Sequence, residues 1–364
     1  MALICWEGFD DAGSSATDYV NGLISKGWSP QGAVGNHTSI SPGCLGTGRG
    51  HHSVNGVPLR RNLGADAHAT LLLGMAVFAY TTLAATSGAM FRFRGDSAAT
   101  LHLTIAYNAT SKELEVWRGD YSTGTLLGTS VGFLLDNTTT VGPGDTRYLE
   151  ITVTLSDTVG VVTIVSDGVT ILDLQNVDTR NGGTVATFDA VDLQKAGLYN
   201  FAIDDLILMN PEGADWNAHV GPIRIEALFP TADGDSSQLL GSDANSVANW
   251  QLVDEDPHNT TDYVGSATPG HRDLYNLRDL PAMPADAVVA AVRPHLWAAK
   301  SDSAAISARR LLKTNTTEFV GADLALLTSY QWYREVDMEL NPATGLAWTI
   351  ADINALQLGF EVRA

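Results

Sequence analysis

The sequence is poor in charge, in cysteine and in long apolar runs. Charged residues make up 17% of its 364 residues, below the ~25% of typical globular domains. The two cysteines, Cys5 and Cys44, are too few for a disulfide scaffold. No stretch approaches the ~20 apolar residues that span a bilayer, and residues 1–7 lack the basic segment of a signal peptide. We therefore expect a protein that is made in a cytosol and does not insert into a membrane.

Positive charge is scarcer than negative charge. Lys and Arg total 21 and Asp and Glu total 41, which gives a formal net charge of −20. Nucleic-acid affinity depends largely on cationic side chains that neutralise phosphates, and binding to anionic membrane surfaces has the same requirement. Both classes of partner are excluded, whereas a bound divalent cation is compatible with this charge.

The uncharged residues favour β structure. Thr and β-branched residues suit strands, and the 35 glycines supply turns. Asp167-Gly168 lies between two strand-like runs and predicts a hairpin, Gly142 to Asp145 predicts another reversal, and Asp18 to Lys26 predicts one short helix. We predict an all-β fold of antiparallel β-sandwich or jelly-roll type. The predicted strands of the first half are Ala2–Phe9, Ala69–Tyr80, Ala89–Arg94, Leu101–Asn108, Glu113–Arg118, Leu126–Leu135, Arg147–Leu155, Val159–Ser166, Thr170–Leu174 and Tyr199–Met209.

The length predicts two domains. The strand pattern breaks in the turn-rich stretch Asn210 to Asp215, so we predict domains at 1–214 and 215–364. A short helical turn is expected within Thr349–Leu358. The predicted strands of the second half are Gly221–Phe229, Trp250–Val253, Arg272–Leu277, Ala287–Ala299, Ala304–Lys313, Thr317–Val320, Tyr330–Leu340 and Gly359–Arg363.

Five segments of the first half occur in an order that resembles the concanavalin A/laminin-G family of lectin-like jelly rolls, as found in bacteriophage structural proteins. They are Glu7–Asp10, Phe91–Phe93, Tyr148–Val153, Val169–Leu174 and Ile203–Leu208. The second half is similar to the companion domain of such proteins. Its segments are Arg224–Glu226, Pro230–Gly234, Trp250, Val253–Glu255 and Asp262–Val264.

This resemblance implies a non-enzymatic virion structural protein. It would be a tail fibre or tail-tip component, or a capsid-surface fibre or decoration. Its partners would be other copies of itself, in a homo-oligomer, other virion proteins and a host surface glycan. Two alternatives stay open: a polysaccharide-degrading glycoside hydrolase and a stand-alone glycan-binding module.

The hydrolase alternative depends on Glu335, Asp337 and Glu339. Alternate residues of a strand share one face, and paired carboxylates cleave glycosidic bonds. We nevertheless expect these three acids on a solvated strand face, and we assign no catalytic residue. The reason is an apolar stripe predicted on the opposite face: Trp332, Val336, Met338 and Leu340.

Two further motifs are given structural interpretations. Gly128 to Gly132 fits the G-x-S-x-G pattern of a nucleophile elbow. That elbow needs a strand before it and a helix after it, whereas strand-like residues lie on both sides of this match. The histidines match no zinc spacing, and we expect them in an exposed polar loop. They are His37, His51, His52 and His68.

Calcium stays an open alternative because oxygen-rich clusters occur at 233–235 and 254–256, although neither has the full spacing of a calcium loop. Asp204 and Asp205 could also hold calcium. On a regular strand they would point to opposite faces, so at most one would face inward. No metal ligand is assigned.

Aromatic side chains are the natural platform for a sugar ring. Because most tryptophans of a sandwich are expected in the core, the sequence singles out no ligand-binding residue. The candidates are Trp28, Trp117, Tyr121, Trp216, Trp250, Trp297 and Trp332.

Overall fold

The computed structural model describes residues 3–11, 15–41, 43, 48–53, 56–79, 87–133, 146–193, 201–212, 216–256, 258–334 and 336–364. The chain forms two compact units. Unit 1 comprises Met1–Asp10 and Gly27–Ile225, and unit 2 comprises Asp11–Lys26 and Glu226–Ala364. The single boundary predicted from the sequence lies between residues 214 and 215, whereas these units meet between Ile225 and Glu226, and unit 2 also includes Asp11–Lys26.

Unit 1 is a sandwich of two antiparallel sheets, which confirms the predicted fold class. The strands are β1 (Leu3–Glu7), β2 (Trp28–Pro30), β3 (His37–Ile40), β4 (Gly50–Ser53), β5 (Leu59–Asn62), β6 (Thr70–Ala79), β7 (Gly88–Gly95), β8 (Thr100–Asn108), β9 (Glu113–Arg118), β10 (Thr125–Thr129), β11 (Thr146–Thr154), β12 (Gly160–Ser166), β13 (Val169–Val177), β14 (Ala190–Leu193) and β15 (Phe201–Met209). The eight-stranded sheet has the order β13-β12-β11-β6-β15-β4-β3, with β1 also paired to β15, and the seven-stranded sheet has the order β10-β9-β8-β7-β14-β5-β2.

The core of unit 1 follows from alternation along the strands. Phe91 and Phe93 of β7 have no exposed surface, and neither do Leu149 and Ile151 of β11. Because side chains alternate between the two faces of a strand, the neighbours of Phe91 and Phe93 point away from this core. The seven-stranded sheet therefore has one apolar face and one polar face.

The predicted Asp167-Gly168 hairpin is confirmed. It joins β12 to β13, and both turn residues have positive φ, 50° at Asp167 and 79° at Gly168. That pair of angles is typical of a type I′ turn, whose twist matches the flanking strands. The reversal predicted at 142–145 lies outside the described residues.

The strands of unit 2 are β16 (Pro230–Ser237), β17 (Leu240–Gly241), β18 (Val264–Gly265), β19 (Arg272–Leu277), β20 (His295–Ala298), β21 (Ser307–Thr314), β22 (Thr317–Ala325), β23 (Gln331–Arg334) and β24 (Gln357–Arg363). They form an antiparallel five-stranded sheet of order β16-β19-β24-β21-β22 and two two-stranded sheets, β17-β18 and β20-β23. Helix α1 (Ala16–Ser25) begins at a Ser15 cap, and α2 (Ile350–Asn354) begins at a capping box of Thr349 and Asp352. One cluster of buried core residues in unit 2 comprises Leu277, Leu312, Trp348, Ile353 and Leu356.

The strand predicted at Gly221–Phe229 is wrong, because strand structure begins only at Pro230. Within unit 1, backbone N–H groups of this segment donate to buried carboxylates instead of to a neighbouring strand. Gly221 donates to Glu150 over 2.9 Å and Ile225 donates to Asp205 over 2.7 Å. Similarly, the predicted strand Trp250–Val253 is a 3-10 turn at Asn249–Leu252. In the described part of the chain, no helix is long and apolar enough to cross a membrane.

Candidate functional site

The polar face of the seven-stranded sheet carries a row of cross-strand neighbours that we call the Arg–Trp row. Arg60 of β5 lies opposite Asp192 of β14, which lies opposite Arg92 of β7. The row continues through Thr104 of β8 to Trp117 of β9. Residues in such register lie side by side on one face of a sheet, so five strands contribute to one surface.

Asp192 is the electrostatic centre of the row. Its side chain has no exposed surface, and its carboxylate accepts three hydrogen bonds from two arginines. Arg60 donates from Nε and Nη2 over 2.6 and 3.0 Å, and Arg94 donates from Nε over 2.6 Å. This hydrogen bonding raises the pKa of Arg60. A buried carboxylate thus fixes two guanidinium groups, which themselves stay partly exposed.

A second carboxylate, that of Asp189, acts electrostatically on Arg60. Its two oxygens accept backbone N–H groups from Ala98, over 2.9 Å, and from Ser97, over 2.5 Å. Ser97 and Ala98 both have positive φ, 58° and 64°. Asp189 therefore holds a strained turn beside the arginines.

Two aromatic rings form the other end of the row. Trp117 and Tyr121 meet edge to face, with ring centroids 5.6 Å apart. The Trp117 indole N–H donates to Glu115 over 3.0 Å, and Glu115 also accepts from Asn108 over 2.6 Å. These bonds fix the orientation of the half-buried Trp117 ring on the polar face.

The loop after β9 joins the aromatic end to the arginines. Arg92 donates to Asp120 over 2.6 Å, and the backbone of Tyr121 donates to the same Asp120 oxygen over 2.9 Å. Thr104, which is fully buried, donates to the carbonyl of Gly119 over 2.7 Å and anchors the start of this loop. Gly119 has φ 83°, a conformation that favours glycine. The loop thereby places Asp120 and Tyr121 beside Arg92 and Trp117.

The arrangement is suited to binding a polar ring compound. Planar guanidinium groups donate paired hydrogen bonds to oxygen atoms, and a tryptophan ring offers an apolar face with directional edges. Both kinds of group stand on one sheet, where strand pairing holds their positions.

The structure changes the interpretation of the acidic triplet. Glu335 lies outside the described residues. Asp337 accepts two hydrogen bonds of 2.6 Å from the guanidinium of Arg293, so its carboxylate is paired rather than solvated. The predicted apolar stripe is also wrong, because Val336 is 70% exposed and Leu340 is 54% exposed. The physical reason is that regular pairing of β23 ends at Arg334, and the described residues 336–340 pair through isolated bridges at Met338 and Leu340, so strand alternation does not govern these residues.

The G-x-S-x-G match has a structural role. The Ser130 hydroxyl is buried and accepts the backbone N–H of Leu114 over 2.9 Å. Strand β10 precedes it, and the described residues that follow, 131–133, are not helical. A hydroxyl held in this way between strands is not an exposed nucleophile.

The prediction of exposed histidines is wrong for three of the four. His37 lies on β3, His51 and His52 lie on β4, and all three are buried. The rings of His37 and His51 stack with centroids 5.7 Å apart. Burial is the main reason that the pKa of His51 lies well below its ordinary value, with further lowering by His37 and His52. His68 lies apart, with Nδ1 3.0 Å from the backbone nitrogen of Thr70.

Asp204 and Asp205 are both buried, but so is every other residue of β15, so the prediction that at most one of them faces inward stays a prediction. A bulge between Asp204 and Ile207, with φ 49° at Asp205, interrupts the regular alternation of side chains there. Protein donors contact other carboxylates that were considered for calcium. Asp233 accepts from the backbone of Trp250 over 3.2 Å, and Asp235 pairs with Lys313. Within the described ranges, no group of three or more His, Cys, Asp or Glu side chains is arranged to hold a metal ion.

The tryptophans are less buried than expected. Trp28 and Trp348 belong to the buried cores at 4% and 3% exposure, whereas the candidates Trp117, Trp216, Trp250, Trp297 and Trp332 are half-buried. Trp297 and Trp332 face each other across β20 and β23. Both contact the ring of His258, with centroids 4.1 and 5.0 Å away. This pair therefore packs within unit 2, whereas Trp117 lies on the same sheet face as Arg92, two strands away.

Comparisons with known proteins give distant structural likenesses. No protein-family model and no curated protein matches the chain. Alginate lyase Aly36B is 12% identical, with a TM-score of 0.38, and the match covers 57% of this chain and 96% of that one. The conserved carbohydrate esterase of Shiga toxin-encoding bacteriophage phi24B is 18% identical, with a TM-score of 0.38, and the match covers 57% of this chain and 98% of that one. Carbohydrate binding module CBM66 from Bacillus subtilis is 11% identical, with a TM-score of 0.32, and the match covers 50% of this chain and 96% of that one. Likeness at this level does not transfer binding or activity.

Proposed function

We propose that this chain is a non-catalytic, homo-oligomeric structural protein of a bacteriophage particle that attaches to a host surface glycan through the Arg–Trp row. The virion assignment rests on the sequence resemblance to phage lectin-like proteins. The glycan assignment rests on the polar face of the seven-stranded sheet.

One observation carries the glycan proposal: a half-buried tryptophan stands on the same sheet face as three arginines and a buried aspartate. A sugar ring has an apolar face that can stack on Trp117 and a rim of hydroxyls that hydrogen-bond to charged groups. The rigidity of both groups lowers the entropy lost on binding, since their orientations are fixed before the ligand arrives.

The proposal of a non-catalytic role is supported by Asp337. Both oxygens of this carboxylate accept a hydrogen bond from the Arg293 guanidinium, so they are engaged in an ion pair within the protein. The Glu335→Gln variant should therefore leave any interaction with polysaccharide unchanged. Glycan cleavage by the parent protein that this variant abolishes would overturn the non-catalytic role.

The binding experiment uses the full chain. Trp117→Ala should weaken the Kd for host surface polysaccharide at least about tenfold, which corresponds to about 1.4 kcal/mol. Trp250→Ala, which removes a half-buried tryptophan of unit 2, is the matched control and should bind like the parent. Equal binding by Trp117→Ala and the parent would contradict the proposed site.

The virion proposal is tested separately by mass spectrometry of purified particles. Hundreds of copies would indicate capsid decoration, and a handful would indicate a tail fibre or tail tip. Absence from intact particles would contradict the structural role and would favour a stand-alone glycan-binding module.

A further inference from the structure

Unit 2 includes a piece of chain from the amino-terminal region, Asp11–Lys26. We call Asp11, helix α1 and the Lys26 that follows the helix the strap. Helix α1 contacts strand β23, and the carbonyl of Lys26 accepts a hydrogen bond from Arg334 of β23 over 3.4 Å. The Lys26 ammonium lies 5.8 Å from the centre of the Trp332 ring. The strap therefore packs on the small sheet of β20 and β23.

The face of that sheet beneath the strap is aromatic. His295 lies opposite Arg334, and Trp297 lies opposite Trp332. Because paired residues and alternate residues share one face of a sheet, these four side chains lie on the same side. The ring of His258 packs there too, with centroids 4.1 Å from Trp297 and 5.0 Å from Trp332. Two histidines thus belong to the surface that the strap covers.

Charged groups of the strap lie against both histidines. One oxygen of the Asp11 carboxylate pairs with Lys26, and the other lies 3.3 Å from Nδ1 of His295. The Lys26 side chain has no exposed surface, and that of Asp11 is 14% exposed. The charged side chains that act on His258, on His295 or on both are Asp11, Asp18, Lys26 and Arg334. The two carboxylates balance the two cations, so a proton on either histidine leaves positive charge in excess.

Protonation of the histidines opposes the closed arrangement. Burial lowers the pKa of His258 to about 4 and also lowers the pKa of His295, although the Asp11 carboxylate acts in the opposite direction on both. Release of the strap opens this face to water, where histidine has a pKa of about 6.5. The open state therefore binds protons more readily than the closed state, and acid favours release.

We infer from this geometry that the strap is held closed at neutral pH and is released in acid, with His258 and His295 as the sensors. The inference goes beyond the proposed function, because it concerns unit 2 and no part of the Arg–Trp row. Release uncovers the aromatic face that carries Trp297 and Trp332. Acid thereby converts a covered face into a surface that apolar groups of another molecule can contact.

Hydrogen exchange of the full chain at pH 7 and pH 5 tests this inference, with rates corrected for the intrinsic pH dependence of amide exchange. The pKa of His258 is about 4 in the closed state and about 6.5 in the open state. This difference alone raises the opening constant of the strap about 20-fold between pH 7 and pH 5. Peptides of α1 should lose protection by at least this factor, whereas peptides of β19 and β24 should change much less.

His258→Gln and His295→Gln should each reduce the pH dependence of α1 protection. His271→Gln is the matched control, because it changes a half-buried histidine of unit 2 that contacts Ser266, and it should keep the pH dependence of the parent. Equal protection of α1 at pH 7 and pH 5 in the parent would overturn the inference, whether or not the variants fold. An acid-induced loss of protection that is unchanged in both sensor variants would overturn it too. Neither result bears on glycan binding at the Arg–Trp row.

Discussion

The buried carboxylate of Asp192 offers a direct test of how the candidate site is built. The change Asp192→Asn keeps the shape of the side chain and removes its charge. Arg60 and Arg94 then lose the anion that accepts three of their hydrogen bonds.

The magnitude follows from burial. Breaking a buried ion pair by removing one partner costs about 3–5 kcal/mol, because a charge is left uncompensated. The arginine side chains are 19% and 17% exposed, so water recovers part of that loss. We expect Asp192→Asn to lower the free energy of unfolding by the lower end of this range, about 3 kcal/mol. At about 2–4 °C per kcal/mol for a unit of this size, the Tm of unit 1 should fall by roughly 6–12 °C.

Hydrogen exchange is the appropriate assay, because two compact units need not unfold as one. Peptides covering β5, β7 and β14 should open with a lower free energy in Asp192→Asn, while peptides of β19 and β24 in unit 2 should not change. Asp120→Asn is the matched control: its pair with Arg92 is exposed, and it should shift stability by less than about 1 kcal/mol. Equal exchange in the two variants would refute the assignment of Asp192 as the centre of the row.

Two further predictions concern pH. His51, buried beside His37, has a pKa below its ordinary value, so the unfolded chain binds a proton at His51 more readily than the folded chain does. The contribution of His51 to the free energy of unfolding is complete above about pH 6.5 and is lost as the pH falls. Urea unfolding of His51→Gln should therefore lose less stability than the parent between pH 7 and pH 5, and a parallel decline in both proteins would contradict this. Burial, with repulsion from Asp262 and Asp254, raises the pKa of Glu255 to about 7 from 4.5. Between these two values the folded chain holds a proton that the unfolded chain releases. The free energy of unfolding therefore falls as the pH rises from 4.5 to about 7. Glu255→Gln should be more stable than the parent at pH 8 and nearly equal to it at pH 4; equal stability of the two at both pH values would show that burial does not perturb Glu255.

Most long strands of the fold could be predicted from the sequence, because alternation and turn residues act locally. The predicted Glu113–Arg118 and Arg272–Leu277 coincide with β9 and β19. The histidine strands β3 and β4 were missed, since their polar residues are buried by tertiary contacts that no local pattern reveals. The strand predicted at Gly221–Phe229 fails for a similar reason. Its backbone N–H groups donate to the carboxylates of Glu150 and Asp205, which are distant in sequence.

Part of the site could have been read from the sequence. Arg92 and Arg94 alternate with Phe91 and Phe93, a pattern that predicts two arginines on the outer face of a strand. Asp192, which accepts from Arg94 and lies opposite Arg92 in the sheet, comes about a hundred positions later, and only the order of strands in the sheet brings it beside them. Trp117 carried no local signal that separated it from the core tryptophans.

The central claim is that a saccharide contacts Trp117. Fluorine NMR of the full chain labelled with 5-fluorotryptophan tests it most directly, with the Trp117 signal assigned from its loss in Trp117→Phe. Titration with the host surface polysaccharide should shift the Trp117 signal and leave those of the buried Trp28 and Trp348 in place. A saccharide-dependent shift confined to tryptophans other than Trp117 would contradict the account.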